Sequence, residues 1–204
     1  QVSKRRKEIE LGFTEPYFLN RRMAVGADIY LKDTNFIESG FRQKSIGTSL
    51  RTAFPITEYV VMSLNYGLSK DTVVTSFFTD SPYIANNSGN FITSSIGVGL
   101  SYNSLDNPQK PNRGQLISFN QEFAGLGGNE KYLKSLAKYD LYIPIYKTWV
   151  FNIAFEAGHI QGLGRDVRLN KRFFVGNPRM RGFKEAGLGP REWKDSFSEL
   201  YSGF

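Results

Sequence analysis

The sequence predicts an all-β chain, an antiparallel transmembrane β-barrel fold with about eight up-and-down strands. Three observations lead there. Apolar and polar residues alternate with period two, so each segment has one apolar and one polar face. The alternating segments are about ten residues long, which is what a tilted strand needs to cross a bilayer. Connections on one side are short and proline-containing, while those on the other are longer.

The elements follow in order. Residues 6–14 place Ile9, Leu11 and Phe13 opposite Glu8, Glu10 and Gly12. Residues 22–32 place Met23, Val25, Ala27, Ile29 and Leu31 opposite Arg22, Gly26, Asp28, Tyr30 and Lys32. Segment 44–54 alternates Ile46, Thr48, Leu50 and Phe54 against Ser45, Gly47, Ser49 and Arg51, and 59–69 sets Val60, Met62, Leu64, Tyr66 and Leu68 against Ser63, Asn65 and Gly67. In 91–103, Ile92, Ile96, Val98, Leu100 and Tyr102 oppose Thr93, Ser95, Gly97, Gly99 and Ser101. In 115–124, Ile117, Phe119 and Phe123 oppose Ser118, Asn120 and Glu122. In 132–143, Ala137, Tyr139, Leu141 and Ile143 oppose Lys138, Asp140 and Tyr142. In 149–158, Trp149, Phe151, Ile153, Phe155 and Ala157 oppose Asn152, Ala154, Glu156 and Gly158. The polar faces, rich in Gly, Ser and Asn, suit a wet lumen, and Tyr and Phe cluster near segment ends as interfacial girdles do. Alternation by itself also fits a soluble sandwich.

The connections sharpen the choice. Links at 15–20, 55–58 and 144–148 contain proline, and Phe54-Pro55-Ile56-Thr57 resembles Ile143-Pro144-Ile145-Tyr146. Link 104–114 lies on the same side and is longer. The alternate links, 33–43, 70–90, 125–130 and everything after His159, are read as loops, most of them long. That asymmetry is expected of periplasmic turns and extracellular loops.

Composition narrows function. The net charge is +7, but the basic residues are scattered and many sit beside acids, so nucleic acid is not an expected partner. Mean hydropathy is −0.36, and no run of 18 apolar residues exists for a membrane helix, which leaves a barrel open because alternation halves the average. With no cysteine and one histidine, His159, neither a thiol metal site nor a zinc site is expected, and His159 reads as an interfacial polar residue. The basic start, Gln1 to Lys7, lacks the apolar stretch of a signal peptide and reads as the interior of a longer protein. Glu8, Glu10 and Asp28 are read as lumen-lining acids rather than acid–base catalysts. Gly97-Val98-Gly99, Gly125-Leu126-Gly127-Gly128 and Gly162-Leu163-Gly164 lack the lysine of a phosphate loop and read as strand glycines and loop turns. Asn86-Asn87-Ser88 matches a glycosylation acceptor, a pattern frequent by chance.

The chain divides into residues 1–159, the strands, and 160–204, a long loop dense in Arg, Gly and aromatics. Within it runs Arg172-Phe173-Phe174-Val175-Gly176-Asn177-Pro178-Arg179-Met180-Arg181-Gly182-Phe183, then Gly187-Leu188-Gly189-Pro190-Arg191. This resembles the signature of the BamA family, the barrel subunits of the outer-membrane β-barrel assembly machine. The resemblance extends to Phe13-Thr14-Glu15-Pro16-Tyr17-Phe18, to Ala53 through Tyr59, and to Tyr142-Ile143-Pro144-Ile145, in family order. Met180 stands where that family usually has Val or Ile, a swap of similar volume.

The resemblance implies about strands four to eleven of the barrel plus most of a loop that folds into the lumen. It implies a non-enzymatic assembly factor of a Gram-negative outer membrane, without cofactors. Its partners would be unfolded β-barrel clients, accessory lipoproteins bound through the full-length protein, and the lipid bilayer. The motif residues would be Met180, Arg181, Gly182 and Phe183, supported by Gly187, Gly189, Pro190 and Arg191. Arg181 would meet an acid on strands outside this chain, so the loop is expected to be loose here. The alternatives are a two-partner-secretion or translocation-and-assembly-module transporter of the same superfamily, or a passive porin or adhesin barrel.

Overall fold

The alternating segments become strands because every second residue can meet a continuous apolar surface while its neighbours meet another environment. A computed structural model describes residues 6–36, 41–75, 88–176, 180, 182–183, 188–189, 191–195 and 198–201. Eight strands form one antiparallel sheet in strict chain order: β1 (Arg6–Glu15), β2 (Ala24–Phe36), β3 (Phe41–Pro55), β4 (Val60–Thr75), β5 (Gly89–Asn103), β6 (Gly114–Gly128), β7 (Tyr132–Tyr146) and β8 (Trp149–Gly162). The sheet is open, with β1 and β8 at its edges. A second, two-stranded sheet pairs β9 (Arg191–Asp195) with β10 (Ser198–Tyr201). No helix among the described residues is long and apolar enough to cross a membrane.

Register aligns the apolar faces into continuous rows. Leu11 lies opposite Ile29, Ile29 opposite Thr48, and Thr48 opposite Leu68. Further along, Leu64 faces Val98, Leu100 faces Phe119, Phe119 faces Ala137, and Leu141 faces Ile153. Among the described residues no second layer covers these rows. Leu11 is 73% exposed, Ile29 62% and Phe155 62%. An apolar surface this extensive cannot be the outside of a soluble sandwich, whose apolar faces meet one another. It fits a barrel wall that meets lipid. The buried apolar side chains among the described residues, Val73, Phe91, Ala124 and Tyr132, lie on the opposite face, where the tail returns over the sheet.

The strands run further than the sequence pattern suggested. The link read as a loop at 33–43 is largely strand, because β2 reaches Phe36 and β3 begins at Phe41, and the link at 70–90 is strand at both ends, where β4 reaches Thr75 and β5 begins at Gly89. Residues such as Lys70, Asp71 and Thr72 look like loop by composition, but backbone pairing with β3 and β5 holds them in the ladder. The length asymmetry between the two sides of the sheet therefore shrinks, and only the β4–β5 connection remains long among the links on the loop side.

The run Gly125-Leu126-Gly127-Gly128 is likewise not a loop turn. It is a bulge inside β6, where the register jumps so that Thr93 faces Gly128 while Ser95 faces Ala124. Gly125, Gly127 and Gly128 have φ of 147°, 127° and 92°, values that side chains with a Cβ rarely adopt.

Candidate functional site: a loop stem docked on the inner wall

The inner face of β4 to β8 receives the chain as it leaves β8. A short 3₁₀ turn at Leu169–Lys171 interrupts the returning segment, and the cation before it, Arg168, and its own last residue, Lys171, meet acids of the sheet and its β6–β7 connection. Lys171 Nζ lies 2.8 Å from Asp71 Oδ2. The second carboxylate oxygen of Asp71 accepts hydrogen bonds from Ser45 Oγ and, at 3.1 Å, from Gln43 Nε2. Asp71 is almost fully buried, and its carboxylate is held by one cation and two hydrogen-bond donors. Arg168 Nε donates to Glu130 Oε1 at 2.5 Å, and its guanidinium lies 3.7 Å from the centre of the Phe91 ring.

Aromatic packing completes the contact. The ammonium of Lys134 stands 4.5 Å from the centre of the Phe173 ring and donates to the Lys171 carbonyl at 3.4 Å. Phe173 lies over Gly158, where a Cβ would sit 2.8 Å from the ring's Cζ, so this lumenal glycine leaves room for the stem. Beside it, the Tyr132 hydroxyl donates to Glu122 at 2.9 Å. The stem is braced at its start by Leu163 N–H donating to the Lys131 carbonyl.

Beyond the stem the chain doubles back. Val175 and Leu188 form an isolated antiparallel bridge, with Leu188 N–H donating to the Val175 carbonyl at 3.0 Å. Between these bridged ends lies the Met180–Phe183 motif. Met180 N–H donates to the Gly176 carbonyl, and Met180 and Phe183 are each close to half exposed. Gly182 has φ of 91°, which explains glycine after the arginine position. Gly189 is also in the positive-φ region, at 128°. Arg181, Gly187 and Pro190 lie outside the described residues, as do Asn86 and Asn87 of the glycosylation pattern. Arg191 begins β9.

The expectation that the loop is loose in this chain is corrected in part. Its stem is held by acids of β4 and of the β6–β7 connection, both within these eight strands. Asp71 and Glu130 were hidden because both lay in stretches read as loops, and nothing local announces pairs separated by 100 and 38 residues.

The other inner-wall acids have local partners. Glu8 pairs with Lys32 at 2.9 Å and with Arg6 at 2.8 Å, while Glu10 lies 3.9 Å from Lys32. Asp28 meets Arg51 at 2.9 Å and accepts from Ser49 Oγ. Each acid thus lies within ion-pair distance of a cation, Glu8 and Glu10 sharing Lys32, the arrangement of a charged wall rather than of a carboxylate pair sharing a proton. His159 is exposed on the outward face of β8, opposite Ser135. Among the described residues no cluster of three or more His, Cys, Asp or Glu is arranged to hold a metal ion.

An open, consecutively ordered antiparallel sheet with a lipid-compatible outer face and a loop folded onto its inner face defines a segment of a transmembrane β-barrel. Residues 1–198 match the Omp85 superfamily domain, and the chain belongs to that family. The barrel is of the BamA type. The chain is 29% identical over 173 residues to the outer membrane protein assembly factor BamA of Neorickettsia risticii (strain Illinois), covering 83% of this chain and 23% of that protein. It is 26% identical over 215 residues to BamA of Neisseria meningitidis serogroup B, covering 94% and 26%. It is 27% identical over 188 residues to the human sorting and assembly machinery component 50 homolog, covering 91% and 40%. The chain spans about a quarter of the length of these bacterial relatives. Its fold matches the crystal structure of BamA from Haemophilus ducreyi lacking POTRA domains 1–3, with a TM-score of 0.80 at 21% identity, over 92% of this chain and 39% of that one.

Proposed function

We propose that this chain is barrel wall and lumenal loop of an outer-membrane protein assembly factor, which inserts and folds β-barrel clients in the outer membrane of a Gram-negative bacterium. Residues 1–159 serve as the wall and 160–204 as the loop. The observation that carries this reading is the docked stem. Lys171 on Asp71 and Arg168 on Glu130 fix the loop to the inner wall and so set where the Met180–Phe183 motif is presented. A loop anchored across the inner face also argues against a passive pore, which needs a clear lumen.

The chemistry required is non-covalent. A client strand gains backbone hydrogen bonds by adding to an exposed strand edge, so no nucleotide or metal is called for. Arg181 acts as a lock between the motif and a carboxylate on flanking strands, a role suited to the fork geometry of a guanidinium. Gly187, Gly189, Pro190 and Arg191 shape the return path. Accessory lipoproteins bind elsewhere on the full-length protein.

The test uses the full-length protein reconstituted in liposomes with its accessory subunits and a small unfolded barrel client. Arg181→Ala should leave a heat-modifiable, folded barrel but slow client insertion, and Arg181→Lys should recover only part of the rate. Wild-type insertion by Arg181→Ala, or steady ion conductance with no client insertion by the unaltered protein, would overturn the reading.

A further inference from the structure

The outward face changes character towards the end that carries the β2–β3 and β4–β5 connections. One row across it reads Ile9, Leu31, Ile46 and Lys70, joined by cross-strand register. The next row outward reads Lys7, Asp33, Lys44 and Thr72. Two residues along a strand advance roughly 7 Å, so the second row stands at headgroup depth above the aliphatic one. Between the rows lies a groove of about 460 Å³, bordered by Lys7, Lys44 and Lys70 and by Ile9, Leu31 and Ile46.

The charges in this groove are unbalanced. Asp33 is gripped in two-pronged fashion by Arg42, at 2.7 and 2.5 Å. Among the described residues no carboxylate lies within ion-pair distance of Lys7, Lys44 or Lys70, and all three are exposed. The feature is also local. Towards the same end of β6 to β8 the outward positions are Phe123, Leu133, Ser135 and Gln161, and the opposite rim of the outer face is aromatic, with Phe54, Tyr102 and Trp149. Lys131, exposed in the β6–β7 connection, also lies at this end, but among the described residues no row of lysines stands over aliphatic side chains there. Lys70 shares its row with aliphatics and lines the groove together with Lys44 and Thr72, where a lysine can lay its stem along the band and keep its ammonium in the polar row.

We propose that this groove binds an acyl lipid with a net-anionic phosphate headgroup, the phosphate held by Lys7, Lys44 and Lys70 and one acyl chain lying over Ile9, Leu31 and Ile46. Such a lipid supplies both what the lysines lack and what the aliphatic row needs. The site is independent of client insertion, since it lies on the outer face and the docked stem lies on the inner one.

The experiment titrates the delipidated full-length protein in nonionic detergent with dimyristoyl phosphatidylglycerol and, separately, dimyristoyl phosphatidylcholine, reading bound lipid by native mass spectrometry. The anionic lipid should bind more tightly. The K7Q/K44Q/K70Q variant should weaken it by at least about tenfold, and a K110Q/K131Q/K147Q control should leave it unchanged. Should the triple variant fail the heat-modifiability check for folding, K44Q and K70Q singly should each weaken binding about three- to fivefold. Soluble glycerol phosphate should not compete. Equal binding of both lipids, an unaltered affinity in the folded lysine variants, or full competition by glycerol phosphate would each overturn the proposal, the last by showing a site for free phosphate.

Discussion

Two stretches of the same inner wall neutralise their acids in different ways. Across β1 to β3, Glu8 and Asp28 find cations on the next strand or on their own, Lys32, Arg6 and Arg51. Across β4 to β7, Asp71 and Glu130 wait for cations from the far end of the chain, Lys171 and Arg168. The partners differ in exposure as well. Arg51 has half its side chain exposed, whereas Lys171 has 17% and Arg168 23%. A local pair with a solvated cation decorates the wall, and its loss admits water. A distant pair with a covered cation holds one part of the chain to another, and its loss releases that part.

The comparison breaks most visibly at Asp71. Asp71→Asn leaves the covered ammonium of Lys171 without a counter-charge, and breaking a pair of this kind costs about 3–5 kcal/mol. In the full-length protein, protease cleavage between residues 163 and 190 should increase while the eight strands keep their heat-modifiable mobility. Pairing it with Lys171→Met should restore more stability than either change alone predicts, because the stranded charge is then gone. Glu130→Gln should act in the same direction but less strongly, since Arg168 keeps its contact with the Phe91 ring. Unchanged protection of the loop in Asp71→Asn would show that aromatic packing at Phe173 suffices, and the distinction between local and distant pairs would lose its meaning.

This division also marks what the sequence could reveal. The outward rows and the inward Gly, Ser and Asn were legible because side-chain alternation is local and has period two. The loop motif is read from a contiguous run, and the φ of 91° at Gly182 suits the glycine in it. Asp71 and Glu130 were not, for two physical reasons. Polar residues at strand tops look like loop until backbone pairing is known, as with Lys70 to Thr72. Which lumenal acid meets which tail cation depends on register summed over several hairpins and on the bulge at Gly125 to Gly128, neither of which composition encodes.

The local half of the comparison is sharpened by Arg51→Gln. Arg51 also donates to Thr14 Oγ1, so the change removes contacts to two strands. Because its side chain is half solvated, loss of the guanidinium opens Asp28 to the wet inner face, and water takes over part of its role. The expected cost is about 0–1 kcal/mol in urea unfolding of the detergent-solubilised protein. Cleavage of the 163–190 region should stay at the wild-type rate. Release of the loop by Arg51→Gln would mean that strain in the wall travels to the docked stem.

The smallest effect belongs to Asp106, in the connection between β5 and β6, which among the described residues forms no ion pair. Its carboxylate accepts from the backbone N–H groups of Asn112 at 3.0 Å, Arg113 at 3.1 Å and Asn107 at 2.9 Å, and these hold its pKa below the usual carboxylate value. Such bonds need the ionised form. A lowered folded pKa means that the stabilisation is fully present above the unfolded value, about 3.9, and is lost as pH falls through the folded one. Amide protection of residues 107–113, corrected for intrinsic exchange, should therefore hold constant from neutral pH down to about 4 and then decline. In Asp106→Asn it should be weak at every pH, because a neutral acceptor binds those N–H groups less strongly. Neither acidification to about 4 nor the substitution should alter protease access to 163–190, since Asp106 organises only its own turn. A loop that loosened together with this turn would tie the two ends of the sheet into one cooperative unit.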